Sequence, residues 1–209
     1  MTRCRLRLFF LTLFIMFEIG IPQSVEPYKN PELPIETRIQ DLLDRMSLHD
    51  KYRQIDIWHP KAIKTRDPKI FQECLEREGD IINQGIGFLQ FKTSMPPKEY
   101  AANFNAIQKY FIEETRLGIP AISNADGCHG FMGEGGTMFP SPPVMGSTWD
   151  PELIERVYTA IGKEMRLYGI THAATPVLDL MREPRYGRCD EMFGEDPYLA
   201  GEMGIAAVF

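Results

Sequence analysis

Two stretches of this sequence gather residues that can do chemistry. The first is RLGIPAISNADGCHG, Arg116 to Gly130, where an apolar run gives way to Asn124, Asp126 and His129. Polar side chains just past the end of a strand face the mouth of a barrel, where ligands bind. A carboxylate such as Asp126 can accept hydrogen bonds there from paired sugar hydroxyls, and Gly127 and Gly130 allow the sharp turn that presents it. The residues alone leave a second reading open: Asp126 and His129 could pair with each other or satisfy amides of their own loop. Asp126, Cys128 and His129 could also ligate a metal, but no further His or Cys stands at a ligand spacing. No metal or other cofactor is expected.

The second stretch, Thr175 to Pro197, reads TPVLDLMREPRYGRCDEMFGEDP and again follows a strand-like run. It packs Asp179, Arg182, Glu183, Arg185, Arg188, Asp190, Glu191, Glu195 and Asp196 into one loop. A solvated charged loop is the plain alternative. Against it, the charges alternate in sign and are interleaved with Pro184, Tyr186, Gly187 and Phe193, which points to a packed loop with internal pairs. One arginine left over from such pairing can aim its planar fork at hydroxyl oxygens. An aromatic beside it can stack on the apolar face of a sugar ring. The run Gly133 to Thr137 lacks the lysine that follows the glycines of a phosphate loop, so a nucleotide is a weak reading.

The elements that would position these loops follow from periodicity. Ile35, Ile39, Leu42, Leu43 and Met46 have helical spacing, and Ser47 with Asp50 can cap a second short helix. Residues 58–68 read as irregular. Gly85 to Phe91 is a strand candidate. Pro96 and Pro97 open a helix carrying Tyr100, Phe104, Ile107, Tyr110 and Phe111, which ends near Gly118. Ile119 to Ser123 is the next strand. Asp150-Pro151 starts a helix with Leu153, Val157, Ile161 and Met165 as its buried stripe and Gly169 as its left-handed stop. Ala173 to Leu178 is a third strand, and Asp196-Pro197 repeats the cap before a helix from Tyr198 onward. Strands separated by helices imply parallel pairing through right-handed crossovers. Three such units fit an open α/β sheet or an incomplete (β/α)8 barrel.

The 209 residues are 44% hydrophobic and 25% charged, enough for one domain with a core, and the net charge of -6 argues against a nucleic-acid partner. Arg3, Arg5 and Arg7 precede an apolar run from Leu8 to Phe17, too short to span a bilayer but laid out like a secretory signal peptide. Residues 1–24 are therefore expected to be a signal and residues 25–209 the mature domain, secreted or delivered to a periplasmic or vacuolar compartment, with no stable membrane span. Of Cys4, Cys74, Cys128 and Cys189, the first would leave with the signal, and an odd number remains. The sequence says nothing of oligomeric state.

At these residues the chain resembles family 3 glycoside hydrolases. The family's RV-x-DLL-x-RM-T-L-x-x-K pattern is matched by Arg38-Ile39, Asp41 to Leu43, Arg45 to Leu48 and Lys51. RLGIP followed by D-G-x-HG is matched by Arg116 to Pro120 and Asp126 to Gly130. Phe139-Pro140, Ser147 to Leu153 and Glu164 to Ile170 resemble the next elements, and Pro176 to Asp179, Pro184 to Arg188 and Glu191 to Pro197 resemble the P-V-L-D and R-W-G-R…E-x-F-G-E-D-P block. The resemblance runs from about Tyr28 to the end of the chain. Tyr186 stands where the family usually has Trp, His49 to Arg53 depart from E-E-K-x-G, and Cys128 fills a variable position.

The resemblance implies the N-terminal part of a TIM-like (β/α)8 barrel in a retaining β-glucosidase. It implies that Asp126 and Arg188 bind hydroxyls of the terminal sugar of a glucoside or oligosaccharide, with His129, Arg185, Tyr186 and Glu191 as neighbours that support them. Xylosidase-type relatives tend to carry Glu at the Asp126 position, so a hexose is expected. The family's nucleophile, its acid/base Glu and a sugar-gripping Lys-His pair belong to later motifs, beyond Phe209, so this chain alone is expected to be inactive and truncated. Retention needs two carboxyl groups about 5 Å apart. Asp126 with a carboxylate of the Arg182 to Asp196 cluster is the in-chain alternative, weakened by arginine neighbours that would lower a carboxyl pKa. A non-catalytic sugar-binding or interaction protein built on the hydrolase fold is the other alternative.

Overall fold

The computed structural model describes residues 25–59, 79, 83–90 and 96–208. The signal-peptide expectation over residues 1–24 lies outside them, as do Cys74 and Phe209. No described helix is long and apolar enough to cross a membrane.

The chain divides into two compact units, one ending at Arg45 and one beginning at Met46. In the first, a 3₁₀ turn at Pro27–Lys29 precedes helix α1, Ile35–Arg45. Buried Tyr28 ties the two together: its amide donates to Asp41 (3.1 Å) and its carbonyl accepts from Arg38 Nε (3.0 Å). The expected helix is present, but its stripe is not covered: Ile35, Ile39 and Leu43 are all exposed.

The second unit opens on α2, Leu48–Gln54. Ser47 accepts from the Asp50 amide (3.1 Å) while Asp50 accepts from the Ser47 amide (2.7 Å), so the expected cap is a full reciprocal box, worth about 1 kcal/mol. Arg116 pairs with the buried Asp50 carboxylate. Burial pushes that carboxyl up, but the Ser47 hydrogen bonds and the Arg116 charge outweigh it and hold it below its ordinary value.

The sheet follows: β1 (Ile57–Trp58), β2 (Phe88–Leu89), β3 (Ile122–Ala125) and β4 (His172–Ala173), in sequential order and all parallel. Between them lie α3 (Pro97–Glu114), α4 (Pro142–Gly146) and α5 (Pro151–Leu167), and α6 (Pro197–Val208) closes the described chain. Sequential parallel order, with helical crossovers from β2 to β3 and from β3 to β4, is the pattern of a TIM-like barrel wall, as expected.

The details correct the sequence reading in four places. Trp58 is not irregular. It forms β1 with Ile57, a strand too short for any alternation to show and defined only by its partners Phe88 and Leu89. The strand expected at Ile119 to Ser123 begins at Ile122 instead, because Pro120 has no amide to give a ladder. The strand expected from Ala173 to Leu178 ends at Ala173, and Val177 makes only an isolated bridge to Met192. The short helix α4 was missed.

One face of the sheet is sealed. Leu89, Ser123 and Ala125 point into it and are buried, under a core drawn from Tyr100, Ile107 and Phe111 of α3 and Ile154, Val157, Tyr158, Ile161 and Met165 of α5. Each fully buried apolar side chain there contributes about 1.5–3 kcal/mol. The α5 stripe begins at Ile154 rather than Leu153, which is only half-buried. Asp150 Oδ1 accepts from the Leu153 amide (2.9 Å) and Gly169 takes φ 80°, so both ends of α5 stop as expected. Asp196 caps α6 in the same way, accepting from the Leu199 amide at 2.7 Å.

Candidate functional site

Strand alternation puts the chemistry on the other face. Register pairs Asn124 with His172 and Phe88 with Ile122. A period of two then carries Gln90, Asn124, Asp126 and His172 onto one side, at or just past the strand ends. They are joined by hydrogen bonds. His172 Nδ1 meets Asn124 Oδ1 at 2.7 Å, Asn124 Nδ2 donates to Gln90 Oε1 at 3.1 Å, and Gln90 Nε2 donates to Asp126 Oδ2 at 2.9 Å. Asn124 is only 5% exposed and belongs to the strand, not to the loop where the sequence placed it. Phe88 stacks edge-on against His172 at 5.4 Å.

The loop after β3 is fixed to the core beneath it. Gly127 lies so close to α5 that a Cβ would meet Ile161 and Met165 at 3.2 Å. Gly130 takes φ 135°, and a Cβ there would strike the Thr137 carbonyl at 2.3 Å, so no other residue fits. Between them Tyr158 donates to the Cys128 carbonyl at 2.8 Å. Burial pushes the Tyr158 phenol up to about 12, so it stays a donor through the neutral range. The Phe139 amide donates to the His129 carbonyl at 2.7 Å, and Thr137 bonds Glu164 of α5 through its amide (2.8 Å) and hydroxyl (2.7 Å).

The loop after β4 is built differently. It closes through the Met181 amide, which donates to the Gly194 carbonyl at 3.0 Å, and through the Val177 to Met192 bridge. Met192 and Phe193 are buried, and Gly146 of α4 packs so tightly that a Cβ on it would lie 2.1 Å from the Phe193 carbonyl. A 3₁₀ turn at Cys189–Glu191 brings Arg188 and Glu191 together. The Arg188 fork donates to both Glu191 oxygens, at 2.7 and 2.5 Å. That contact holds Glu191 below, and Arg188 above, their ordinary values. Arg185 makes the same kind of fork on Glu183, at 2.7 and 2.8 Å.

The two loops share one cavity of about 300 Å³, lined by Asp126, Gly127, Cys128, His129, Gly130, Met132, Ala174, Arg188, Asp190 and Glu191. Of the residues picked from sequence, Asp126, Arg188, His129 and Glu191 meet there. Arg185 and Tyr186 are not among its lining residues; the Arg185 side chain is 88% exposed. His129 Nδ1 is buried with no hydrogen-bond partner among the described residues. Cys128 and Cys189 are free thiols, and burial raises that of Cys128. Sequence reasoning missed Gln90 and His172 and gave Asp190 no role. Gln90 carried one usable signal, a lone amide ending the apolar run before it. An acceptor, Asp126, and the Arg188 guanidinium, two of whose five N–H donors are taken by Glu191, on the wall of one small cavity suit a ligand rich in hydroxyl groups.

Residues 48–209 match the family model described as glycosyl hydrolase family 3 N-terminal domain. A Formosa agariphila protein whose name assigns it provisionally to the β-xylosidases is 35% identical over 94% of this chain and 26% of its own length. Among solved structures, a β-glucosidase of Erythrobacter marinus has a TM-score of 0.71 at 26% identity, covering 89% of this chain and 24% of its own. A mutant β-glucosidase of Listeria innocua, solved in complex with laminaribiose, has a TM-score of 0.66 at 30% identity, covering 84% and 23%. The chain thus spans about a quarter of the length of these proteins.

Proposed function

The chain belongs to glycosyl hydrolase family 3, and from that premise we propose that the full-length protein removes terminal β-D-glucosyl residues with retention, Asp126 and Arg188 gripping the sugar that is cut off. The observation that carries this is the shared cavity: two loops far apart in sequence bring a carboxylate and an arginine fork to one space of about 300 Å³. The arginine contact then decides which roles are excluded. Glu191 is the wall carboxylate beside Arg188, and its lowered pKa is the wrong direction for a proton donor. Glu183, with Arg185 on it, is held down to about 2. Neither glutamate is therefore suited to be the proton donor of retention, and the role proposed for this cluster is to bind and orient the sugar.

The laminaribiose complex of the Listeria relative supports a glucosyl ligand. The Formosa relative, with its β-xylosidase name and 94% coverage of this chain, favours a second reading, a β-xyloside. Paired assays of the full-length protein on aryl β-D-glucoside and aryl β-D-xyloside separate them. The expected result is a higher kcat/KM for the glucoside, and Asp126→Ala lowering it by about 3 kcal/mol of transition-state binding. An unchanged value in that variant removes Asp126 from the sugar site. A preference for the xyloside transfers the site to the second reading.

A further inference from the structure

We propose that Gln90 is the positioning residue that fixes the Asp126 carboxylate in its sugar-binding orientation, as the last link of a one-way hydrogen-bond chain starting at His172. The inference rests on Asp126 being a sugar ligand and adds what holds it in place. A carboxylate accepts and cannot donate, so Gln90 must turn its NH₂ toward Asp126 Oδ2, 2.9 Å away. That leaves Gln90 Oε1 facing Asn124, which must answer with its own NH₂ at 3.1 Å. Asn124 Oδ1 is then the atom 2.7 Å from His172, so the imidazole must donate from Nδ1. Flipping the Gln90 amide sets its oxygen against the Asp126 carboxylate, and flipping the Asn124 amide sets its oxygen against Gln90 Oε1. One ionised group at the end of the chain thus fixes two amide orientations and a histidine tautomer three residues away.

The chain spans three strands, with Gln90 directly after β2, Asn124 within β3 and His172 within β4. Its inner member Asn124 is 5% exposed and cannot turn to water instead, and Phe88 rests against the far end at 5.4 Å. Asp126 precedes Gly127 on the loop after β3, and the Gln90 amide is the hydrogen-bond partner of its carboxylate among the described residues. Aligned hydrogen bonds polarise one another and rigidify the group they end on. A hydroxyl acceptor that is already oriented binds the transition state without reorganising. If Gln90 served only to satisfy Asn124, the bond to Asp126 would be incidental.

Kinetics of the full-length protein on an aryl β-D-glucoside, with Gln90→Ala, Gln90→Glu, Asp126→Ala and the Gln90→Ala/Asp126→Ala double variant, decides between these. Losing a hydrogen bond to a charged group predicts that Gln90→Ala lowers kcat/KM by roughly 10- to 100-fold. KM rises and kcat falls together, whereas a merely destabilised fold reduces the active fraction and leaves KM alone. Gln90→Glu, which sets two carboxylates against each other, loses at least as much. In the Asp126→Ala background the Gln90→Ala change is expected to cost less than about threefold more, because its route is already gone. Wild-type kcat/KM in both single Gln90 variants overturns the proposal, and so does a Gln90 effect that persists undiminished in the Asp126→Ala background. If Asp126→Ala itself leaves kcat/KM intact, the sugar-ligand reading fails first and the positioning role fails with it.

Discussion

The cavity has two walls of opposite construction. The Asp126 wall hangs from the sheet: its polar residues continue strand alternation and bond one another across three strands, and the loop after β3 rests through Gly127 and the Cys128 carbonyl on Ile161, Met165 and Tyr158 of α5. The Arg188 wall is a loop of local ion pairs, three residues apart for Arg188 with Glu191 and two for Arg185 with Glu183. What holds it in place is not those charges but Met192 and Phe193 beneath them, clamped by α4. Charge density is a poor guide to what positions a loop; the buried residues between the charges are a better one.

The largest effect tests that statement directly. Phe193 is 2% exposed, and truncating a buried aromatic costs about 3–5 kcal/mol. Phe193→Ala is expected to lose that much in denaturant unfolding. A loss under about 1 kcal/mol would mean that the ion pairs carry the loop, since an exposed pair is worth at most about that. A smaller effect sharpens the contrast between stability and function. Arg188→Lys keeps the charge but loses the fork. It is expected to shift unfolding by less than about 1 kcal/mol while lowering kcat/KM of the full-length protein by roughly 10- to 100-fold. Equal kcat/KM would place the guanidinium outside the sugar site.

How much of this was legible in the sequence depended on the range of the cause. Caps are local, so Ser47 with Asp50, Asp150 and Asp196 could be read from spacing and stand as read. Helix stripes are nearly as local: α5 falls within a residue or two of its expected bounds, and α3 begins as expected but ends at Glu114, four residues before Gly118. The strands were harder, because two-residue strands have no period and exist only through their neighbours: Trp58 is a strand residue because Leu89 lies beside it. Asp126 is conspicuous as a carboxylate after a strand, whereas Arg188 is set apart from Arg182 and Arg185 only by the resemblance to family 3 glycoside hydrolases. Gln90 offers only its place as a lone amide after an apolar run, and His172 offers nothing, because their role depends on the register that sets Asn124 against His172, which no spacing within either segment encodes.

The smallest expected effect falls on Arg185, whose chemistry matches that of Arg188 but whose place does not. Both are forks on a glutamate, and both glutamates are held below their ordinary values. Glu183 is pulled down to about 2, which on its face signals a strong pair. Yet the side chains of Arg185 and Glu183 are 88% and 51% exposed, and water and salt screen what the charges gain. Arg188 differs in having the cavity beside it, while Arg185 has solvent. Arg185→Ala is therefore expected to leave unfolding within about 0.5 kcal/mol and kcat/KM within about twofold of the unmodified protein. A loss of activity comparable to that of Arg188→Lys would show that the sugar, or what is attached to it, reaches past the described cavity onto the outer face of the loop.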